Sequence, residues 1–496
     1  SISNSRNSSS WFYIDCERVT EMSGKYKAVA SGAITNGKPV LVNSTGTVTQ
    51  ISGSAQALGT AVVFESAEAN WINTTFDSSN NKVVISYQDN GNSNYGTAIV
   101  ATIDSSDNSV TYGSPVVFNS ATTSQGKITF DSSNNKVVIA YNNGGDSGHG
   151  YAIVGTVSGT SISFGSAAEF ENAVISDPVI VFDSSNNKVV IAFRDEGNSN
   201  YGTAIVGTVS STSISFGSAT VYESANSSEQ AGTFDNNSNK VVIAYKDGGN
   251  SNNGTAIVGT VSGTSISFGS AATFDTSTST DGITATFDSS NNKVFLAYQD
   301  GGNSNYGTAV IGTVSGTSIS FGSEVVYNSG NSVSKDATFD TNNNKVVLVF
   351  LDHGNSRGQV ILGTVSGTGV SFSSATTYDE DQVLYSQAVF DSSTNKLLIA
   401  YHDDGNSSYG TARVFAPAIP TNLTSENYIG IASGGTYADT AEATIDIVGT
   451  VNKDQSGLTA GQTYFVQTDG TLGTSAGSPS VIAGTAISAT ELIVKG

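Results

Sequence analysis

Six aspartates occupy one recurring position along the chain: Asp89, Asp195, Asp247, Asp300, Asp352 and Asp403, with Asn143 at a seventh. Each precedes a Gly/Asn-rich stretch, such as Asp300-Gly301-Gly302-Asn303-Ser304-Asn305, that brings several oxygens together. Two chemistries fit this pattern. Asx side chains satisfy backbone amides in tight turns and tolerate left-handed residues. Alternatively, hard oxygen ligands suit calcium, the one cofactor the pattern raises, although the spacing matches no established calcium loop. The same stretch carries Tyr95, His149, Tyr201, Asn253, Tyr306 and Tyr409 at one equivalent position, with Arg357 nearby in a shorter sixth copy. A tyrosine there either packs over its own turn or stacks on a sugar ring or protein partner. Trp71 and Tyr385 lie in segments that differ from copy to copy, so no duty repeated elsewhere explains them. With Tyr95, Tyr201, Tyr306 and Tyr409 they form the candidate ligand-binding set.

Catalysis has less support. Glycoside hydrolysis usually needs a placed pair of carboxylates, and such a pair should break the symmetry of a repeat. The acids that do so, Glu68, Glu196, Glu229 and Glu380, are scattered over what read as surface loops. Arg194, Arg357 and Arg413 fall in three separate copies, and His149, His353 and His402 form no Ser/His/Asp or Cys/His constellation. No residue is assigned a catalytic role. Acids outnumber bases 42 to 20, a net charge of −22, which a nucleic-acid backbone repels. No apolar run approaches the ~20 residues that span a bilayer, and no charged stretch followed by an apolar one marks a signal peptide. Neither nucleic acid nor membrane insertion is expected. Cys16 is the single cysteine, so an internal disulfide and a cysteine metal cluster are excluded.

The elements that must position these residues follow from a repeat. The motif Phe-Asp-x-x-x-Asn-Lys recurs with its aspartate at Asp77, Asp131, Asp183, Asp235, Asp288, Asp340 and Asp391. A constant period near fifty residues marks a propeller, solenoid or array. Each copy reads as four strands: one ending at the motif Phe, a second such as Lys136 to Tyr141, a third such as Ala152 to Val157, and a fourth such as Ser161 to Phe170. Four short antiparallel strands make one blade, so the sequence predicts an all-β, seven-bladed β-propeller. The seventh copy stops after its third strand, Thr411 to Phe415, and Gly59 to Glu65 resembles the missing fourth. Borrowing that strand would close the ring without a free edge. The Asp-Ser-Ser-Asn-Asn and Ser-Gly-Thr turns on one face are nearly constant. The blade connections on the other (65–73, 119–127, 171–178, 223–232, 275–282, 328–336 and 379–387) differ in every copy, which reads either as drift or as a varied recognition face on a constant scaffold.

Residues 31–62 resemble 456–487: both run from Ser-Gly through an apolar strand (Val40 to Val42; Tyr464 to Val466) and a Gly-centred turn to Gly-Thr-Ala (Gly59 to Ala61; Gly484 to Ala486). The propeller is thus expected to be inserted in a small duplicated β module. The expected division is 1–24 unassigned, 25–58 the first part of the module, 59–416 the propeller, and 421–496 a C-terminal part packing with the first. Both flanks are expected to gather on the constant face.

The run from Glu426 to Ala432 and the run from Asp454 to Leu472, together with the Phe-Asp-Ser-Ser-Asn-Asn-Lys-Val-Val-Ile-Ala-Tyr repeats, resemble tail-fibre and virion decoration proteins of marine bacteriophages over residues 25–496. The resemblance implies a protein of the virion surface, hence extracellular, with other virion proteins and a host-surface glycan or protein as partners. It supplies no catalytic residues, and it leaves homo-oligomerisation open. The expected function is receptor binding by a non-enzymatic appendage. The alternatives are a capsid decoration protein acting as a spacer without a specific ligand and, third, a glycan-cleaving enzyme.

Overall fold

The computed structural model describes residues 24–277, 279–419 and 421–495; Cys16 and nearly all of segment 1–24 lie outside them. The fold is all-β. Among the described residues the only helical segments are six single 3-10 turns, and no helix is long and apolar enough to cross a membrane. The chain divides into two compact units, residues 57–417 and residues 24–56 with 418–495.

In the larger unit the repeat motif builds a hairpin. Asp77, 1% exposed, accepts from Ser79 N (2.9 Å), Ser79 Oγ (2.6 Å) and Asn80 N (3.1 Å) through Oδ1, and from Asn80 Nδ2 (2.9 Å) through Oδ2. Asn81 then turns the chain at φ 52°, a left-handed conformation that Asn tolerates better than most residues. Lys82–Asp89 returns antiparallel. Asn135, Asn187, Asn239, Asn292, Asn344 and Asn395 repeat that φ within a few degrees, so one short motif sets seven hairpins.

Among the described residues seven antiparallel sheets result, each with four strand positions, the fourth filled by two successive segments. In the second, the end of Val116–Asp131 pairs with Lys136–Asn143, that strand with His149–Ser158, and the latter with Ser161–Phe164 and the start of Ala168–Asp183. The second strands are buried almost throughout, as in Lys188–Asp195, because both faces of each sheet are covered. Neighbouring sheets share an aromatic pair, one ring from a fourth strand and one from the next sheet's second strand: Phe118–Tyr141, Phe170–Phe193, Tyr222–Tyr245, Phe274–Tyr298, Tyr327–Phe350 and Tyr378–Tyr401, all 5.1–5.3 Å between centroids. Each first ring lies over a third-strand glycine; a Cβ on Gly96 would sit 2.5 Å from the Phe118 ring. The seventh sheet takes its fourth strand from ahead of the first repeat. Leu58 pairs with Phe415, Val62 with Ala412 and Val63 with Thr411, and Phe64 then meets Tyr87 of the first sheet at 5.3 Å.

One expectation is corrected. The varied connections are not loops. In five copies a single 16-residue strand, such as Val62–Asp77 or Ala168–Asp183, is the fourth strand of one sheet and the first of the next. Two copies are interrupted, between Ala272–Asp275 and Thr280–Asp288 and between Thr376–Asp379 and Val383–Asp391. The polar residues of these segments look loop-like, yet their backbones pair first with one sheet and then with the other.

Among its described residues the smaller unit holds two five-stranded sheets. Lys25–Val29 pairs with Glu442–Asp446, and Pro39–Val42 with Tyr428–Ala432, so residues from both ends of the chain share the first sheet. The hairpin Pro39–Val42/Val48–Gln50 has its counterpart in Thr463–Val466/Leu472–Gly473 of the second sheet. The duplicated halves diverge at their ends: Gly484 to Ala486 stays in this unit, whereas Gly59 to Ala61 enters the larger one.

Candidate functional site

Where each connection pairs with the second strand of the following sheet, a β-bulge falls at the same place in every copy. Asn70 opposes Gln88 and Asn73 opposes Ser86, so Trp71 and Ile72 together face one residue, Tyr87. The same shift recurs in all seven copies. The first bulged residue is left-handed throughout: Trp71 (φ 49°), Gln125 (52°), Asp177 (50°), Glu229 (55°), Gly282 (54°), Ser334 (47°) and Tyr385 (50°). Only one of these is glycine. A bulky residue in this region is strained by about 1 kcal/mol or more, and bulges commonly re-aim a side chain next to a functional site. All seven residues, each six positions before a motif aspartate, line one cavity of about 260 Å³. A second cavity of about 260 Å³ adjoins it, and Asn73, Lys127, Gln230, Ile283, Lys335 and Gln387 line both.

The cavity wall is held together from copy to copy. Asn73 Nδ2 donates to Gly126 O (2.6 Å), Asp177 N to Gln125 Oε1 (2.5 Å) and Gly282 N to Glu229 Oε2 (2.9 Å). Lys335 Nζ donates to Gly282 O (2.9 Å), and Ala388 N to Asp336 Oδ2 (3.0 Å). Trp71 and Tyr385, from the first and seventh copies, meet at 5.1 Å between ring centroids. Charges of both signs mix. Burial pushes the Lys335 ammonium down to about 8 against the pull of Glu229 and Asp281, and it lowers Lys127 against Asp336 and Asp177. Burial also raises the Glu229 and Asp336 carboxyls. Gln230 is 8% exposed and neither polar atom of its amide has a hydrogen-bond partner among the described residues. A buried amide left without any partner costs about 1–3 kcal/mol, and Gln230 lines both cavities, where its donor and acceptor meet whatever fills them.

Of the residues singled out from sequence, the structure brings Trp71 and Tyr385 together and leaves the loop tyrosines apart. Tyr95, Tyr201, Tyr306 and Tyr409 each open a third strand, half-buried, and none lines the cavity. The recurring aspartates are turn caps. Asp89 Oδ1 accepts from Asn92 N (3.0 Å) and Asp300 Oδ1 from Gly302 N and Asn303 N (2.9 and 3.1 Å); Asp195, Asp247 and Asp403 do likewise. Asp352 binds the side chain of Asn355 (2.7 Å). These bonds are those of the turn-capping reading, made separately in six different sheets. Glu229, expected on a surface loop, lines the cavity instead; Glu380 is exposed and paired with Arg357 at 3.0 Å. Gln125, Asp177, Gln230, Lys127 and Lys335 were missed. Comparing the copies at the sixth position before each motif aspartate would have found the ring, since no two residues there are alike.

No protein-family model matches the chain, and neither does any curated protein. Among solved structures, the BP39L lectin of Burkholderia pseudomallei is similar in fold, with a TM-score of 0.54 and 9% identity over 73% of this chain and 99% of that one. A protein of unknown function from Dyadobacter fermentans aligns over the same shares with 10% identity and a TM-score of 0.43.

Proposed function

We propose that the seven sheets are the blades of a closed β-propeller and that the protein is a non-enzymatic recognition protein of a bacteriophage virion, a tail fibre or similar appendage, whose cavity holds the end of a host-surface glycan. One observation carries the recognition reading: seven left-handed bulge residues, different in every copy, meet around a single cavity that contains an unpartnered amide. A structural spacer has no use for side chains that break its own symmetry at a strained position. The Trp71–Tyr385 pair offers apolar faces to the CH side of a sugar, while Gln230 offers both a donor and an acceptor for hydroxyls. Lysines and carboxylates nearly balance around the cavity, which favours a neutral sugar over a polyanion. The fold-level likeness to a lectin agrees with this choice, and the phage resemblance of the C-terminal strings supports the virion setting.

The test is a glycan array with the purified chain, followed by affinity measurement for the best ligand. Trp71→Ala should weaken binding about 10–100-fold, the range of a hot-spot aromatic. Replacing Tyr95, Tyr201, Tyr306 and Tyr409 together should change it less than about threefold. Absence of binding to any glycan would favour the spacer reading.

A second reading, glycan cleavage, draws on the raised Glu229 carboxyl lying near Asp177 in a sugar-sized cavity. The bond from Gly282 N to Glu229 counts against it, because it stabilises the anion rather than a proton donor. Sugar release that disappears in Glu229→Gln would establish it.

A further inference from the structure

The second copy departs from its siblings at four positions at once. Where most copies have asparagine (Asn92, Asn303), it has Asp146; in place of the usual tyrosine it has His149. In place of the usual threonine it has Tyr151, and opposite that residue in the sheet it has Glu169, where the other copies have valine or threonine. These four side chains meet. His149 Nδ1 lies 2.8 Å from Glu169 Oε1 and 3.7 Å from Asp146 Oδ2, and the three ligand-type atoms all fall within 4.8 Å of one another. Tyr151 OH donates to Asp146 Oδ2 at 2.6 Å.

We infer that Asp146, His149 and Glu169 bind one divalent first-row metal ion of the zinc or manganese type. Metal–ligand bonds of ~2.0–2.2 Å place donor atoms about 3–3.6 Å apart, so the present separations need only small side-chain rotations. The imidazole selects a borderline metal over calcium, which prefers six to eight oxygens. Tyr151 fills the outer role common in such sites, holding a ligating carboxylate in orientation through a hydrogen bond. An ordinary surface ion pair would need one acid beside the histidine. Here two carboxylates converge on one imidazole, and a divalent cation balances them. The three side chains are partly exposed, which gives the ion a path in.

The experiment uses the whole chain after EDTA treatment, with ZnCl₂, MnCl₂ and CaCl₂ as separate probes, read by equilibrium dialysis and by thermal shift. His149→Tyr and Glu169→Val install the residues of sibling copies, so the fold is kept. The wild type should bind one zinc or manganese ion with sub-millimolar Kd and melt higher; each swap should weaken that binding at least tenfold, and His353→Ala should leave it unchanged. No binding, binding indifferent to both swaps, or calcium binding tighter than zinc would overturn the assignment.

Discussion

Replacing Phe64 by alanine should cost as much stability as replacing Phe118. Phe64 is 8% exposed; it stands 5.3 Å from Tyr87 and 6.1 Å from Tyr112 between ring centroids, with Gly410 beneath it. Phe118 is 9% exposed and stands 5.3 Å from Tyr141 and 5.7 Å from Phe164, over Gly96. The two sites match in burial and in neighbours, and differ only in that Phe64 reaches the seventh sheet from ahead of the first repeat. Truncating a buried Phe removes its transfer free energy and leaves a cavity, about 3–5 kcal/mol in all. If the seventh sheet joins the first as the others join one another, both variants should lose that much, within about 1 kcal/mol of each other. Urea unfolding followed by tryptophan fluorescence and far-UV circular dichroism gives the comparison, and agreement of the two probes checks cooperativity. A Phe64→Ala cost below about 1 kcal/mol beside a full cost for Phe118→Ala would refute closure.

Acid should stabilise the protein. Burial, seconded by a neighbouring carboxylate, raises Glu65, Glu223 and Asp403, and burial raises Asp89 and Asp195; fewer carboxyls are lowered, among them Glu68 and Glu196. A raised folded pKa contributes stability that is present below the unfolded value and lost as pH rises through the folded one. Calorimetry should therefore find a higher Tm near pH 4, about the unfolded carboxyl range, than near pH 8, with Lys335 acting in the opposite sense only above about pH 8; a higher Tm at pH 8 would contradict this. Gly202→Ala should cost several kcal/mol by overpacking, because its Cβ would lie 2.5 Å from the Tyr222 ring, whereas Gly159→Ala, with open space at a left-handed position, should lose about 1 kcal/mol. Equal thermal shifts for the two would refute the packing argument.

Much of the fold could be read from short-range chemistry. Asp77 and Asn81 act within one turn, so their motif announced every hairpin, and the segment from Gly59 to Glu65 betrayed its place by resembling complete copies. The long strands were harder. Segments such as Glu65-Ser66-Ala67-Glu68-Ala69-Asn70 lack the alternation of a half-buried strand, and only pairing with two successive sheets makes them extended. The site was harder still. A left-handed turn normally shows itself as Gly or Asn, yet the bulges here hold Trp, Gln, Asp, Glu, Ser and Tyr, so the conformation is imposed by the sheet rather than by the residue. Trp71 and Tyr385 were found as aromatics without a repeated duty; their polar partners gave no such signal. The cluster around His149 needed four departures to be seen together, and the sheet register is what places Tyr151 opposite Glu169.

The number of ligand molecules bound per chain tests the central claim most directly. Titration calorimetry with the best array ligand should give one site per chain, removed by Trp71→Ala, because the seven bulge residues build a single cavity. Several equivalent sites per chain, unaffected by Trp71→Ala and weakened by loss of the loop tyrosines, would place recognition on the repeated loops and contradict the account.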